Sequence, residues 1–385
     1  MSSSKHDDGM NNDQQKKSIS SSSLSKLDER QSPWKSLWIS IGLQYMIGIQ
    51  ISIYFMSMWP YLSGLDSTAT VDFFGWVVAA CSLGCSIANP LFGWWNQKTL
   101  DMKSPIVVGM ALMAIGQFIY GFLPLFDSNQ KWIMMFSRLT TGFGAGTLSV
   151  LRAYTATASV PRDRLRAVSF GTAGLVLGLS SGPAIQEDYV GIINQDKDKS
   201  GKKIFERKKH PLKFGGRGEK ISTPWTSAMY NWKDSDAVLY NGIFQTLSCL
   251  MSATNSIIIG HTRVGKIEKR KQIIFGISMF LLFHIITYPW PFYDGPLSYI
   301  PSGKNSSEVG GCLPSYDWCD TTVRVPLPLF IVCMVIIFGI AFPFSGSPAG
   351  TLFSEILGPR KQGMMQGIYS FGGSMAQFVT PIFTT

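Results

Sequence analysis

Val325-Pro-Leu-Pro-Leu-Phe-Ile-Val-Cys-Met-Val-Ile-Ile-Phe-Gly-Ile-Ala-Phe-Pro-Phe-Ser-Gly-Ser-Pro-Ala-Gly-Thr-Leu-Phe-Ser354 runs without an Asp, Glu, Lys or Arg. A bilayer-spanning helix needs ~20 mainly apolar residues. Seven further stretches are equally free of charge: Leu37–Leu65, Phe73–Gln97, Ser104–Phe126, Ala167–Gln186, Ala237–Thr262, Gln272–Tyr293 and Gln362–Thr385. One buried helix of a soluble protein can mimic one such stretch, but not eight. Trp132–Ala158 makes a ninth if its two arginines are tolerated. The expected fold is all-α, a polytopic helical membrane protein with about nine transmembrane helices.

Composition agrees. Charged residues are 15% of the 385, against the ~25% usual in soluble domains, yet the net charge is +10. Because the charges cluster between apolar stretches, a soluble enzyme and a nucleic-acid binder are excluded. No metal-ligand cluster, phosphate loop or paired catalytic carboxylates occur. The sequence therefore implies no catalytic residues, no metal and no cofactor. The partners it implies are the lipid bilayer and a small solute or anion; protein partners are not legible.

Lys and Arg in short loops mark the cytoplasmic side. The polar, Ser-rich tail 1–36 reads as disordered and, with Lys16, Lys17, Lys26, Arg30 and Lys35, as cytoplasmic. Lys98 and Lys103, then Arg162, Arg164 and Arg166, then Arg263 to Lys271, and finally Arg360 and Lys361 mark further inside loops. The segment 294–324 falls outside. It holds the sequon Asn305-Ser306-Ser307, a glycosylation candidate. It also holds Cys312 and Cys319, which could pair in an oxidising compartment. One segment conflicts. Lys197–Lys220 has ten Lys/Arg against three acids and should be inside by charge, but parity puts it outside. Either it tolerates translocation or flanking spans are absent.

Polar and small residues within the spans are the candidate site. Arg138, Gly142, Gly146 and Arg152 fall near one helical face, with Gly144 between them and Tyr154 two residues on. An arginine inside a span costs ~3 kcal/mol or more and rarely faces lipid. It either locks helices together, reaches an interface or touches solute. Gln44 and Gln50 could line a polar cavity. Gly174, Gly178 and Gly182 form a strip for close helix packing, and Pro183 is expected to kink or end that helix. Gly93 closes the second span before Lys98 and Lys103.

Arg138-x-x-x-Gly142-x-Gly144-Ala-Gly146, the Arg162-x-Arg164-x-Arg166-Ala loop, Gly178-x-x-x-Gly182-Pro183 and the loop after Gly93 resemble the major facilitator superfamily. The Asp-Arg pair usual in that last loop is missing here. Ser57-Met-Trp59-Pro-Tyr61, Arg152-Ala-Tyr154, Ala237-Val-Leu-Tyr240-Asn-Gly242, Cys312…Trp318-Cys319 and Ile356-Leu-Gly-Pro359 are similar to a lysosomal member of it. The resemblance implies twelve helices in two six-helix halves, of which this chain has counterparts for helices 1–5, the tail of 7 and 8–11. It thus implies an incomplete major-facilitator fold: an N-terminal bundle over 37–183, a basic linker over 184–237 and a C-terminal bundle over 238–385. It implies a lysosomal or endosomal transporter of a small solute, with the arginines favouring anions. An anion channel on the same scaffold and a non-transporting shortened isoform remain open.

Overall fold

The computed structural model describes residues 31–53, 58–66, 71–126, 128–200, 226, 228–293, 295–300, 309–312, 319–358 and 362–384. Asn305 and the basic run 201–220 lie outside them. The described chain is helical almost throughout: α1 Trp34–Ser52, α2 Met58–Leu65, α3 Val71–Thr99, α4 Lys103–Gly121, α5 Gln130–Ala145, α6 Thr147–Ala158, α7 Arg164–Ser200, α8 Asp234–His261, α9 Lys269–Thr287, α10 Leu327–Leu357 and α11 Gly363–Thr384. Helices are the expected solution, because a helix satisfies its backbone groups within one segment and hydrocarbon offers no water to do so. Among the described residues, α3, α4, α8, α9 and α10 are long and apolar enough to cross a membrane by length and composition.

Three apolar stretches fold differently from a single straight span. Leu37–Leu65 becomes α1 and the short α2. Trp132–Ala158 is interrupted at Gly146, where the Gly146 amide bonds to Phe143 O and the Ser149 amide to Gly146 O, each three residues back. The Thr147 hydroxyl takes Gly144 O at 2.9 Å and Ser149 takes Gly146 O at 2.8 Å. Short-range bonds and hydroxyls that compete for carbonyls tighten the helix there. The third difference concerns Pro183. The helix does not end at it; α7 continues to Ser200, 37 residues in all. A proline removes only one helical donor. At 1.5 Å per residue α7 is about 55 Å long, well beyond a hydrocarbon core of about 30 Å.

The helices pack in two groups. In the first, α1 lies on α7, while α3 and α4 both pack on α5. Ile47, Met113, Leu151 and Leu175 knit α1, α4, α6 and α7 into one buried cluster. In the second group α10 packs against both α8 and α9. Two seams join the N-terminal helices α1–α7 to the C-terminal helices α8–α11: α3 against α11 and α7 against α8. On the outer surface Val107, Ile115 and Phe118 of α4 and Ile274, Ile277 and Leu281 of α9 are exposed. Apolar faces of that extent belong against lipid.

The basic loops gather at one end. Ser32 Oγ donates to Asp163 Oδ2 at 2.9 Å, tying the start of α1 to the turn before α7. Lys269 Nζ meets Glu355 Oε1 at 2.9 Å, tying α9 to α10. The other end of the C-terminal group carries a small cap. There Cys312 and Cys319 form a disulfide. They are buried with Met229, Phe244, Leu297 and Val325.

Candidate functional site

The glycines decide how closely helices approach. Along α7, Gly174 faces Ile41 O of α1, which an added Cβ would meet at 2.9 Å. A Cβ on Gly178 would overlap Tyr45 O, and one on Gly182 would overlap the Ser52 hydroxyl. This glycine strip therefore lies directly on α1, with Gly48 opposite Gly178. Gly142 and Gly146 lie against α3, at Cys81 and Ala88, whereas Gly144 turns to α4 at Gly109 and Met113. Gly93 lies against Gly363 at the start of α11, across the seam between the two groups.

The polar candidates separate. Arg138 is buried, 7% exposed, on α5. Tyr154 turns away from Arg152, and its hydroxyl pairs with Ser36 at the start of α1. Gln44 is buried against Gly171 of α7, with its Nε2 lacking a hydrogen-bond partner among the described residues. Gln50, six residues on, is half-buried on another face of α1.

Arg152 is the candidate that meets both groups. It lies on α6, half-buried, and interacts electrostatically with Cys85 of α3 and Tyr369 of α11. Arginine side chains lean toward the N-terminus of their helix, which carries this guanidinium from the basic end toward the middle of α3. Beside it, Asn89 Nδ2 donates to Ser374 Oγ at 3.0 Å and to Cys85 Sγ at 3.6 Å. Ser374 Oγ donates to Cys85 Sγ at 3.5 Å. The backbone of Asn89 also accepts from Ser149 Oγ of α6 at 3.4 Å. Among the described residues no carboxylate forms an ion pair with Arg152. The cluster is a guanidinium with amide, hydroxyl and thiol groups in the α3–α11 seam, and it can neutralise a negative charge.

Residues of this cluster had gone unmarked by spacing alone. Cys85, Ser374 and Tyr369 are single polar residues in apolar helices. A usable signal exists in Gly363-x-x-x-Gly367, which sets small residues at the four-residue spacing of Asn89 and Gly93. Gly367 indeed lies against Asn89 O and Pro90.

At the basic end both seams are in contact. The Met364 amide donates to Gln97 Oε1 at 3.2 Å. In the other seam Arg166 of α7 donates to His261 of α8. A Cβ on Gly260 would meet the Phe170 ring at 3.0 Å.

Comparison with known proteins agrees with this architecture. Residues 38–187 match the model of the Major Facilitator Superfamily. The chain is 26% identical over 458 aligned positions to major facilitator superfamily domain-containing protein 8 of Xenopus laevis, covering 95% of this chain and 89% of that protein. Among solved structures it superposes on the proton:xylose symporter XylE bound to 6-bromo-6-deoxy-D-glucose, with TM-score 0.56, 14% identity, and coverage of 90% of this chain and 86% of that one. A partially occluded inward-open form of the xylose transporter XylE from E. coli gives TM-score 0.54, 14% identity and 90% coverage of both chains. The chain thus shares the fold of these solved transporters, its residues 38–187 match the Major Facilitator Superfamily model, and it is similar to the Xenopus laevis relative along most of the length of both chains.

Proposed function

We propose that this multi-pass protein moves a small anionic solute across an endolysosomal membrane by alternating access, with Arg152 as the residue that attracts it. The observation that carries the reading is the placement of Arg152. It stands in the seam between the halves, beside Cys85 and Tyr369, with donor groups around it and no paired carboxylate among the described residues. In transporters of two rocking halves, solute sites lie near the midplane at the interface between them. The contacts at the basic end of both seams support a state closed toward the cytoplasm. The endolysosomal address rests on the motif blocks quoted above, and Asn305 as a glycosylated lumenal residue rests on its sequon.

In this reading the N-terminal half is 37–183, preceded by the cytoplasmic tail 1–36. The C-terminal half is 238–385, and 184–237 is the join. The alignment to the Xenopus laevis relative spans 458 positions against the 385 residues of this chain, so at least 73 of them (458 less 385) have no counterpart here. Placing that gap in the join resolves the charge-parity conflict at Lys197–Lys220. It also makes a non-transporting shortened form the second reading.

The test is anion flux into proteoliposomes holding the full chain. Arg152→Ala is expected to lower uptake at least ten-fold, and Arg152→Lys to retain part of it. Equal uptake by Arg152→Ala and parent would sink the anion reading. No flux from the parent chain, where a twelve-helix relative shows flux, would favour the non-transporting form. Current with a defined reversal potential would identify a channel.

A further inference from the structure

We infer that Asn89, Cys85 and Ser374 form a clasp that shuts the α3–α11 seam over Arg152, and that parting this clasp is the step that opens the site to the cytoplasm. The inference rests on the two-halves transport reading, not on the charge of the solute.

The contact is built as a latch would be. Asn89 is 2% and Ser374 9% exposed, so their hydrogen bond at 3.0 Å is shielded from solvent. The two residues stand 285 positions apart, on α3 and α11. Cys85, one turn before Asn89 on the same face of α3, takes hydrogen bonds from both. Below the clasp, toward the basic end, the seam closes backbone to backbone. Gly367 lies on Asn89 O and Pro90, and Gly363 on Gly93. Such glycine contacts are close but carry no directional side-chain chemistry, and the bond beside them from the Met364 amide to Gln97 Oε1 is exposed, so water can replace it when the seam opens. The clasp differs. Separating Asn89 from Ser374 in a dry seam leaves buried polar groups unsatisfied, and the separation becomes favourable once water or solute replaces the lost partners. Pro90 supplies compliance at the same point, because it lacks the N–H that would bond to Ser86 O.

The clasp also reaches the arginine's own helix. Asn89 O accepts from Ser149 Oγ, less than one turn before Arg152. Asn89 is therefore a positioning residue. It registers α3 against α6 through its backbone and against α11 through its side chain.

Cys85 serves as a built-in reporter. The test uses the full chain in vesicles with Cys81, Cys249 and Cys333 replaced by Ala and the 312–319 disulfide kept. Methanethiosulfonate ethylsulfonate, which does not cross membranes, is added from either side. Its sulfenyl sulfur forms a disulfide with the Cys85 thiolate and methanesulfinate leaves. From the cytoplasmic side, Cys85 is expected to label at least ten-fold faster in Ser374→Val than in the parent. Ser374→Thr, which keeps the hydroxyl, is expected to label at the parent rate and controls for packing. Unchanged labelling in Ser374→Val, or equal acceleration from the lumenal side, would overturn the clasp. Labelling requires no transported solute, so this result stands apart from the fate of the anion reading.

Discussion

Arg166 on α7 and His261 on α8 share a hydrogen bond of 3.2 Å across the second seam. The guanidinium is always a donor, so the imidazole Nε2 accepts and its proton resides on Nδ1. Phe170 stands 5.1 Å from the His261 ring, and Arg166 lies over Trp34 at 4.9 Å. The bond ties α7 to α8 at the basic end.

His261→Phe keeps a ring against Phe170 but removes the acceptor for Arg166. Hydrogen exchange over residues 163–170 and 256–262 should therefore be faster in the variant than in the parent. A net hydrogen bond of about 1 kcal/mol corresponds to about five-fold. Equal exchange in the two would show that this bond does not hold the seam.

The α1–α7 contact makes a sharp steric prediction. Gly178→Val should prevent normal folding, because even a Cβ would overlap Tyr45 O and come 2.8 Å from Ile49 N. Overpacking costs about 1–3 kcal/mol where neighbours can shift, and here the neighbours are backbone. Gly42→Ala is the control, since nothing lies within 4 Å of its added Cβ. Monodisperse yield in detergent should collapse for the first and hold or rise for the second.

Asp101 closes the first turn of α4. One carboxylate oxygen accepts the Lys103 amide at 2.9 Å, and the other accepts the Ser104 amide at 3.3 Å and the Ser104 hydroxyl. The Ser104 hydroxyl and then the Lys103 amide hold this carboxyl below its usual range. A carboxyl with a lowered folded-state pKa adds stability above its unfolded pKa, and loses it as pH falls through the lowered value. Amide protection at Lys103 and Ser104 should thus be constant near neutrality and fall only below about pH 4. In Asp101→Asn it should be lower at pH 7 and lose that acid-range step.

The cap on the C-terminal helices is closed by a covalent link. Cys312 and Cys319 are seven residues apart, and closing so short a loop is worth about 2–3 kcal/mol in chain entropy. Replacing both by Ser should lower the melting temperature. It should also speed exchange at Leu297 to Ile300, whose strand-like bonds run from Ile300 N to Cys312 O and from Cys312 N to Ser298 O. Equal exchange in parent and variant would show that the cap holds without the link.

How much of the site was legible follows from the range of each interaction. Arg152 stood out because charge is rare inside a span. Its neighbours did not, since Cys85 and Ser374 are ordinary small residues until helices far apart in the chain dock. The break at Gly146 was likewise hidden. Hydropathy records composition, whereas the break comes from hydroxyls at Thr147 and Ser149 taking backbone carbonyls. The glycine strip at 174, 178 and 182 was visible as spacing, but only packing assigned it to α1.

The sequence alone determined the class of protein and the segments that become helices. The bilayer charges its cost residue by residue, so apolar length and absent charge are local signals that need no partner. Tertiary structure decided which helices share a seam, that Gly93 meets Gly363, that Asn89 meets Ser374, and that Tyr154 serves α1 and not Arg152. Those pairings come from docking helices hundreds of residues apart. Close packing there depends on surface shape, which no single helix carries by itself.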